Sequence, residues 1–110
     1  MDLQQYIYRV KPRRLAMLTA GPSESEAEIL KQHFEYLQQL ARDGVVLLAG
    51  RTQTADESTF GIVILQAESK GIARDIMTSD PAVRHGVMDA RLFPFNIAVL
   101  SQHIGDNDLE

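Results

Sequence analysis

The stretch from Ser25 to Asp43 can fold as one thing, an amphipathic helix that must find a surface to cover. Ala27, Leu30, Phe34, Leu37 and Ala41 recur at i, i+3/i+4 and i+7. At ~100° per residue they share one side of a helix, and Lys31, Gln32, Glu35 and Gln39 take the other. His33 falls inside the apolar arc. Imidazole titrates near neutrality and has two ring nitrogens to satisfy. Burying it without partners costs roughly 1–3 kcal/mol. The helix therefore needs both an apolar layer to pack on and a polar group for His33.

The flanking segments supply strands. Gln5 to Val10 and Leu15 to Thr19 read as extended, separated by Lys11-Pro12-Arg13-Arg14. Pro12 cannot donate to a ladder and marks an edge, bulge or break there. Gly21-Pro22 turns the chain. Ser23-Glu24-Ser25-Glu26 and Ser25-Glu26-Ala27-Glu28 both fit the capping-box spacing. Glu24, Glu26 and Glu28 suit the positive end of the helix dipole, so this acidic run reads as structural rather than metal-binding. The helix ends at Asp43-Gly44, with glycine in the left-handed position.

Val45 to Ala49 is a continuous apolar run, as in a strand covered on both faces. Gly50 opens a polar loop from Arg51 to Ser58, and Thr59 to Leu65 forms a second strand. Gly61 within it signals a bulge or a close backbone approach. Ser69 caps a second helix with the stripe Ile72, Ala73, Ile76 and Met77. Asp80 ends it, because the residue before a proline is pushed out of the α region. A linker through Gly86 leads to a last strand from Val87 to about Leu100, in which Pro94 marks an edge or bulge.

The order β-α-β-β-α-β predicts an α+β, ferredoxin-like fold: a four-stranded antiparallel sheet with two helices on one face. The strands are nevertheless apolar on both parities. Val45, Leu47 and Ala49 alternate with Val46 and Leu48, and Ile62 and Ile64 with Val63 and Leu65. A lone chain would expose a large apolar patch, so a homodimer through the open sheet face is expected. One domain covers residues 1–100, and a polar, acidic tail from Ser101 to Glu110 is expected to fray.

Composition narrows the function. A chain of 110 residues, 45% hydrophobic, can build a core without disulfide or structural metal. The absence of cysteine excludes disulfide scaffolds, thiolate metal sites and cysteine nucleophiles, and fits the cytoplasmic location expected here. Met1 to Tyr6 shows no basic segment followed by an apolar run, so no signal peptide is expected. Val45 to Ala49 falls far short of the ~20 residues of a membrane span. Eleven basic against fifteen acidic residues, net −4, argue against nucleic acid as a partner. Lys11, Arg13 and Arg14 read as a solvated strand end. His33, His85 and His103 lack ligand spacing, so neither metal nor cofactor is expected.

Several segments resemble the YciI-like proteins, small domains with a dimeric α+β-barrel, ferredoxin-like fold. His33-Phe34-Glu35-Tyr36-Leu37 and Asp43 through Gly50 are similar to that family's first helix and second strand. Asp80-Pro81-Ala82-Val83, Gly86-Val87 and Phe93-Pro94-Phe95 are similar to its second half. The matches span roughly residues 15–100. The resemblance implies a pocket where the helix histidine and the aspartate before proline meet, here His33 and Asp80. The family pattern often has Tyr after Asp-Pro; Ala82 stands there instead.

A carboxylate bonded to imidazole fixes its tautomer and raises its basicity, which suits proton transfer on a bound small molecule. His33 and Asp80 are the candidate catalytic pair of an isomerase, lyase or hydrolase. Tyr36, one turn on from His33, and Arg51, Thr52 and Ser58 are the candidate substrate-binding residues; the Arg51 guanidinium suits a substrate carboxylate. The alternative is a non-catalytic dimeric module binding a metabolite or protein partner, in which the pair is architectural.

Overall fold

Alternation in strand β1 (Gln4–Pro12) sets the two faces of the sheet. Tyr6, Tyr8 and Val10 are buried, while Gln5, Ile7 and Arg9 between them point the other way. The computed structural model describes residues 2–102. In it β1 lies inside a four-stranded antiparallel sheet ordered β2-β3-β1-β4, with β2 at Val46–Arg51, β3 at Gly61–Ala67 and β4 at Met88–Phe95. This is the α+β, ferredoxin-like arrangement that the segment order predicts.

Two long helices cover one face. Helix α2 (Glu24–Arg42) contributes Leu37, and α3 (Lys70–Ser79) contributes Ala73 and Met77, to a core with Tyr6, Tyr8, Val10, Val46, Val63, Leu65 and Ala67. Burying each large side chain of this set is worth roughly 1.5–3 kcal/mol. Of the two serines that fit the capping box, Ser23 is used: its Oγ accepts from Glu26 N–H and Glu26 accepts from Ser23 N–H. Arg14 then forks onto the Glu26 carboxylate at 3.0 and 2.7 Å. That hydrogen bonding holds Glu26 down to about 2. Asp43 and Gly44 (φ 78°) close the helix as expected.

Gly61 answers to a close approach. A Cβ there would lie 3.0 Å from Val10 Cγ2 and 3.3 Å from the Gly50 carbonyl oxygen. Pro94 sits on β4, an edge strand, where a missing N–H is tolerated.

Four segments differ from the sequence reading. Leu15 to Thr19 is not extended: Ala16–Thr19 forms the short helix α1, with Thr19 N–H bonded to the Leu15 carbonyl and Ala20 N–H to that of Ala16. The single turn buries Met17. Residues 81–86 are not a plain linker, since Pro81–Arg84 forms a helical turn, α4. β4 stops at Phe95 rather than near Leu100, because its ladder with β1 ends at Gln5 opposite Phe95. The buried line of α2 is also rotated from the one counted above: Leu30, His33, Tyr36, Leu37 and Leu40 face inward, and Ala27, Phe34 and Ala41 are exposed. Phe34 keeps 61% of its surface.

The expected double cover of β2 is not met within one chain. Only Val46 is buried, and Leu47 and Leu48 are exposed on this edge strand. Across the open face, Leu48 pairs with Ile64, Ile64 with Ile7, and Ile7 with Phe93. That is an apolar row crossing the whole sheet. Among the described residues no helix is long and apolar enough to cross a membrane. The expected fraying of the tail, with His103, concerns residues 103–110, which lie outside the described ones.

Candidate active site

Asp80 is placed by its neighbour. Pro81 forces it into an extended conformation (φ −60°, ψ 124°), so it ends α3 and caps α4, with Pro81 at the first helical position. Its side chain is completely buried. Oδ1 accepts from Ala82 N–H at 3.0 Å, and Oδ2 accepts from Tyr8 Oη at 2.8 Å. His33, from the middle of α2, brings Nδ1 to 2.6 Å from Oδ1. Both carboxylate oxygens act as acceptors in this network, which makes His33 Nδ1 the donor; in the neutral ring that tautomer carries its lone pair on Nε2. The His33 side chain keeps 16% of its surface exposed. Its Nε2 has no hydrogen-bond partner among the described residues, nor is it buried.

The pair foreseen from the resemblance is therefore in contact. Tyr8 is the member that the sequence reading missed. Its signal was present in the alternation of β1, which puts Tyr8 on the helix-covered face, where a phenol needs a polar partner. Burial, then the charge and hydrogen bond of Asp80, push the Tyr8 phenol far above its ordinary value. Tyr8 is thus fixed as a donor.

Tyr36 lies at the margin of the same site. Its Oη donates to the Ile76 carbonyl at 2.6 Å, tying α2 to α3. Burial, followed by the Asp80 charge, pushes it up to about 12.

Arg51 ends β2, and Thr52 and Ser58 lie in the loop that follows; the side-chain bonds of all three stay within this segment. Arg51 Nη1 reaches only the Thr52 carbonyl, at 3.4 Å. Thr52 Oγ1 accepts from Phe60 N–H at 3.1 Å and shares a proton with Thr54 Oγ1 at 3.0 Å. Ser58 Oγ donates to Asp56 Oδ1 at 2.5 Å. Among the described residues none of the three bonds to His33, Tyr8 or Asp80. Neither His33 nor Asp80 lines either of two surface clefts. One of about 210 Å³ is bordered by Lys11, Leu18 and Asp56, and one of about 340 Å³ by Arg14, Ile29 and His85.

Solved structures share this architecture. A 5-chloro-2-hydroxyhydroquinone dehydrochlorinase from Burkholderia phenoliruptrix AC1100, in complex with 2,5-dihydroxybenzoquinone, superposes with a TM-score of 0.62 at 18% identity, over 84% of this chain and 93% of its own. An uncharacterised protein from Thermotoga maritima does so with a TM-score of 0.52 at 13% identity, over 86% of this chain and 100% of its own. At such identities the likeness is one of fold. No curated protein matches the chain significantly. The match that reaches family level runs from β1 to just past the end of β4, residues 6–96, and takes in Tyr8, His33 and Asp80 alike. By that match the chain belongs to the YCII-related domain family.

Proposed function

We propose that this protein is a small-molecule enzyme in which His33 and Asp80 perform general acid–base proton transfer without a cofactor, in an isomerase, lyase or hydrolase reaction. The observation that carries the reading is the asymmetry of the His33 ring: Nδ1 is bound to a fully buried carboxylate, and Nε2 is accessible and unbonded. Nε2 takes a proton from an acidic C–H or O–H of the ligand, or from water. Asp80 stabilises the imidazolium that forms, and the same nitrogen returns the proton to the product. Positioned proton transfer of this kind contributes roughly 10²–10⁴-fold. Tyr8 and Ala82 N–H hold the carboxylate while the charge on His33 changes.

The working form in this reading is a homodimer joined through the open sheet face, where Leu48, Ile64, Ile7 and Phe93 form the apolar row. Arg51, Thr52 and Ser58 would reach a ligand only if it extends beyond the pair. One observation favours the second reading, a non-catalytic binding module: Asp80 already caps α4 and anchors Tyr8, tasks that need no substrate.

Ligand screening separates the two. The dehydrochlorinase neighbour is in complex with 2,5-dihydroxybenzoquinone, so hydroxylated quinones and related small phenols are suitable first probes. The His33 ring signals are followed by NMR, and any bound compound is assayed for turnover. Loss of turnover in His33→Ala supports the enzyme; an unchanged rate in that variant refutes it.

A further inference from the structure

Tyr8 and Arg9 are successive residues of β1 and face opposite sides of the sheet. Tyr8 serves the buried carboxylate on the helix side. Arg9 lies on the open side directly opposite Arg91 of β4. Like charges at opposing positions on neighbouring strands repel. Among the described residues neither guanidinium has an ion pair. Arg9 Nε is moreover buried with no hydrogen-bond partner, an arrangement that leaves a charged donor unsatisfied. Arg91 is held in place from below, with its guanidinium carbon 5.7 Å from the centre of the Phe93 ring.

We propose that Arg9 and Arg91 form a binding site for a small organic oxyanion, a carboxylate above all, on the face of the sheet opposite His33. Each guanidinium presents a fork of N–H donors that fits a carboxylate or phosphate bidentately. The neighbouring positions define the rest of the ligand. Ile7 and Phe93 lie two residues along from Arg9 and Arg91 on the same face, with Ile62 and Ile64 beside them on β3. An acid with a compact apolar body would place its charge between the arginines and its body over this row. The site is independent of the proton-transfer reading, since it uses none of the same residues. It does share the face assigned to the homodimer, so oxyanion binding and association are thermodynamically linked. Two copies face to face would bring together two such arginine pairs, and bound anions would neutralise them.

The test titrates the protein with sodium benzoate, and separately with sodium phosphate, against sodium chloride at equal ionic strength. Arginine Nε–Hε signals are read by NMR, and the oligomeric state by sedimentation in the same buffers. The expected result is a saturable shift of the Arg9 signal with benzoate, a weaker one with phosphate and none with chloride. Arg91→Gln, at an exposed position, should weaken benzoate binding at least tenfold, and Arg91→Lys should weaken it less. A response that follows ionic strength alone, or unchanged binding in Arg91→Gln, would overturn the site. Stronger binding of phosphate than of benzoate would overturn the carboxylate preference. The dimer is judged separately: a monomer that binds benzoate keeps the site and refutes the dimer, and a dimer that ignores every anion does the reverse.

Discussion

Tyr8 and His33 hold opposite oxygens of one carboxylate, Tyr8 on Oδ2 at 2.8 Å and His33 on Oδ1 at 2.6 Å. They come from different layers, β1 and α2, and meet only through Asp80, which lies 72 residues from Tyr8 and 47 from His33. The carboxylate is thus a joint between sheet and helices as well as the support of the histidine. Any change at Asp80 has to be read in both capacities.

Asp80→Asn keeps the volume but replaces an acceptor-only group with one that carries two N–H donors. Tyr8, His33 and Ala82 then cannot all donate to it. Hydrogen bonds to charged groups are worth roughly 1.5–3 kcal/mol, and a loss of that size is expected in urea unfolding. A variant as stable as the wild type would show that the carboxylate is not a structural joint.

Tyr8→Phe removes one donor and leaves Asp80 Oδ2 buried and unpaired. The expected loss is about 1–2 kcal/mol. Combined with Asp80→Asn, the two losses should add to less than their sum, because both act on one hydrogen bond. Strict additivity in a double-mutant cycle would rule out the coupling.

High pH tests Tyr36. Its phenol is pushed up to about 12 in the folded chain, by burial first and the Asp80 charge second, against about 10 in an unfolded one. The folded state favours the neutral phenol, so the stabilisation is whole below pH 10 and is lost as pH rises toward 12. Tyr36→Phe should flatten that part of the stability curve. Unfolding free energies measured across this window, with and without the substitution, check the sign. An identical slope in both proteins would exclude Tyr36 as a source.

Much of this arrangement is legible locally. The serine cap, the Gly44 stop and the break at Asp80-Pro81 each depend on a few adjacent residues; the stop and the break are found where the sequence puts them, and of the two serines that fit the cap Ser23 takes it. The phase of α2 is less secure. Ala27 and Ala41 add little to a stripe, and a helix edge can carry Phe34 exposed while His33 turns inward. The Leu15 to Thr19 turn has too few residues to display a period. Tyr8 is missed for another reason: alternation tells that it is buried, but not that a carboxylate from the distant junction of α3 and α4 will come to meet it. Arg51 and Ser58 show the converse, since polarity next to a strand end is satisfied by their own loop.

Gly61 and Gly71 make a closing contrast in how space decides the effect of one methyl group. At Gly61 a Cβ would press on the buried Val10 side chain at 3.0 Å and on the Gly50 carbonyl oxygen at 3.3 Å, and both would have to give by a few tenths of an ångström, the second of them backbone in the β2–β3 ladder. Gly61→Ala should cost about 1–3 kcal/mol, the usual range for overpacking. At Gly71, near the start of α3, the nearest atom is Ser69 Oγ at 3.8 Å, an ordinary contact. Gly71→Ala should therefore stabilise by about 0.4–1 kcal/mol through the reduced freedom of the unfolded chain. Thermal unfolding of the two variants should bracket the wild type from opposite sides. If Gly61→Ala melted at or above the wild-type temperature, β1 and β3 would not be as closely packed at Val10 as the register requires.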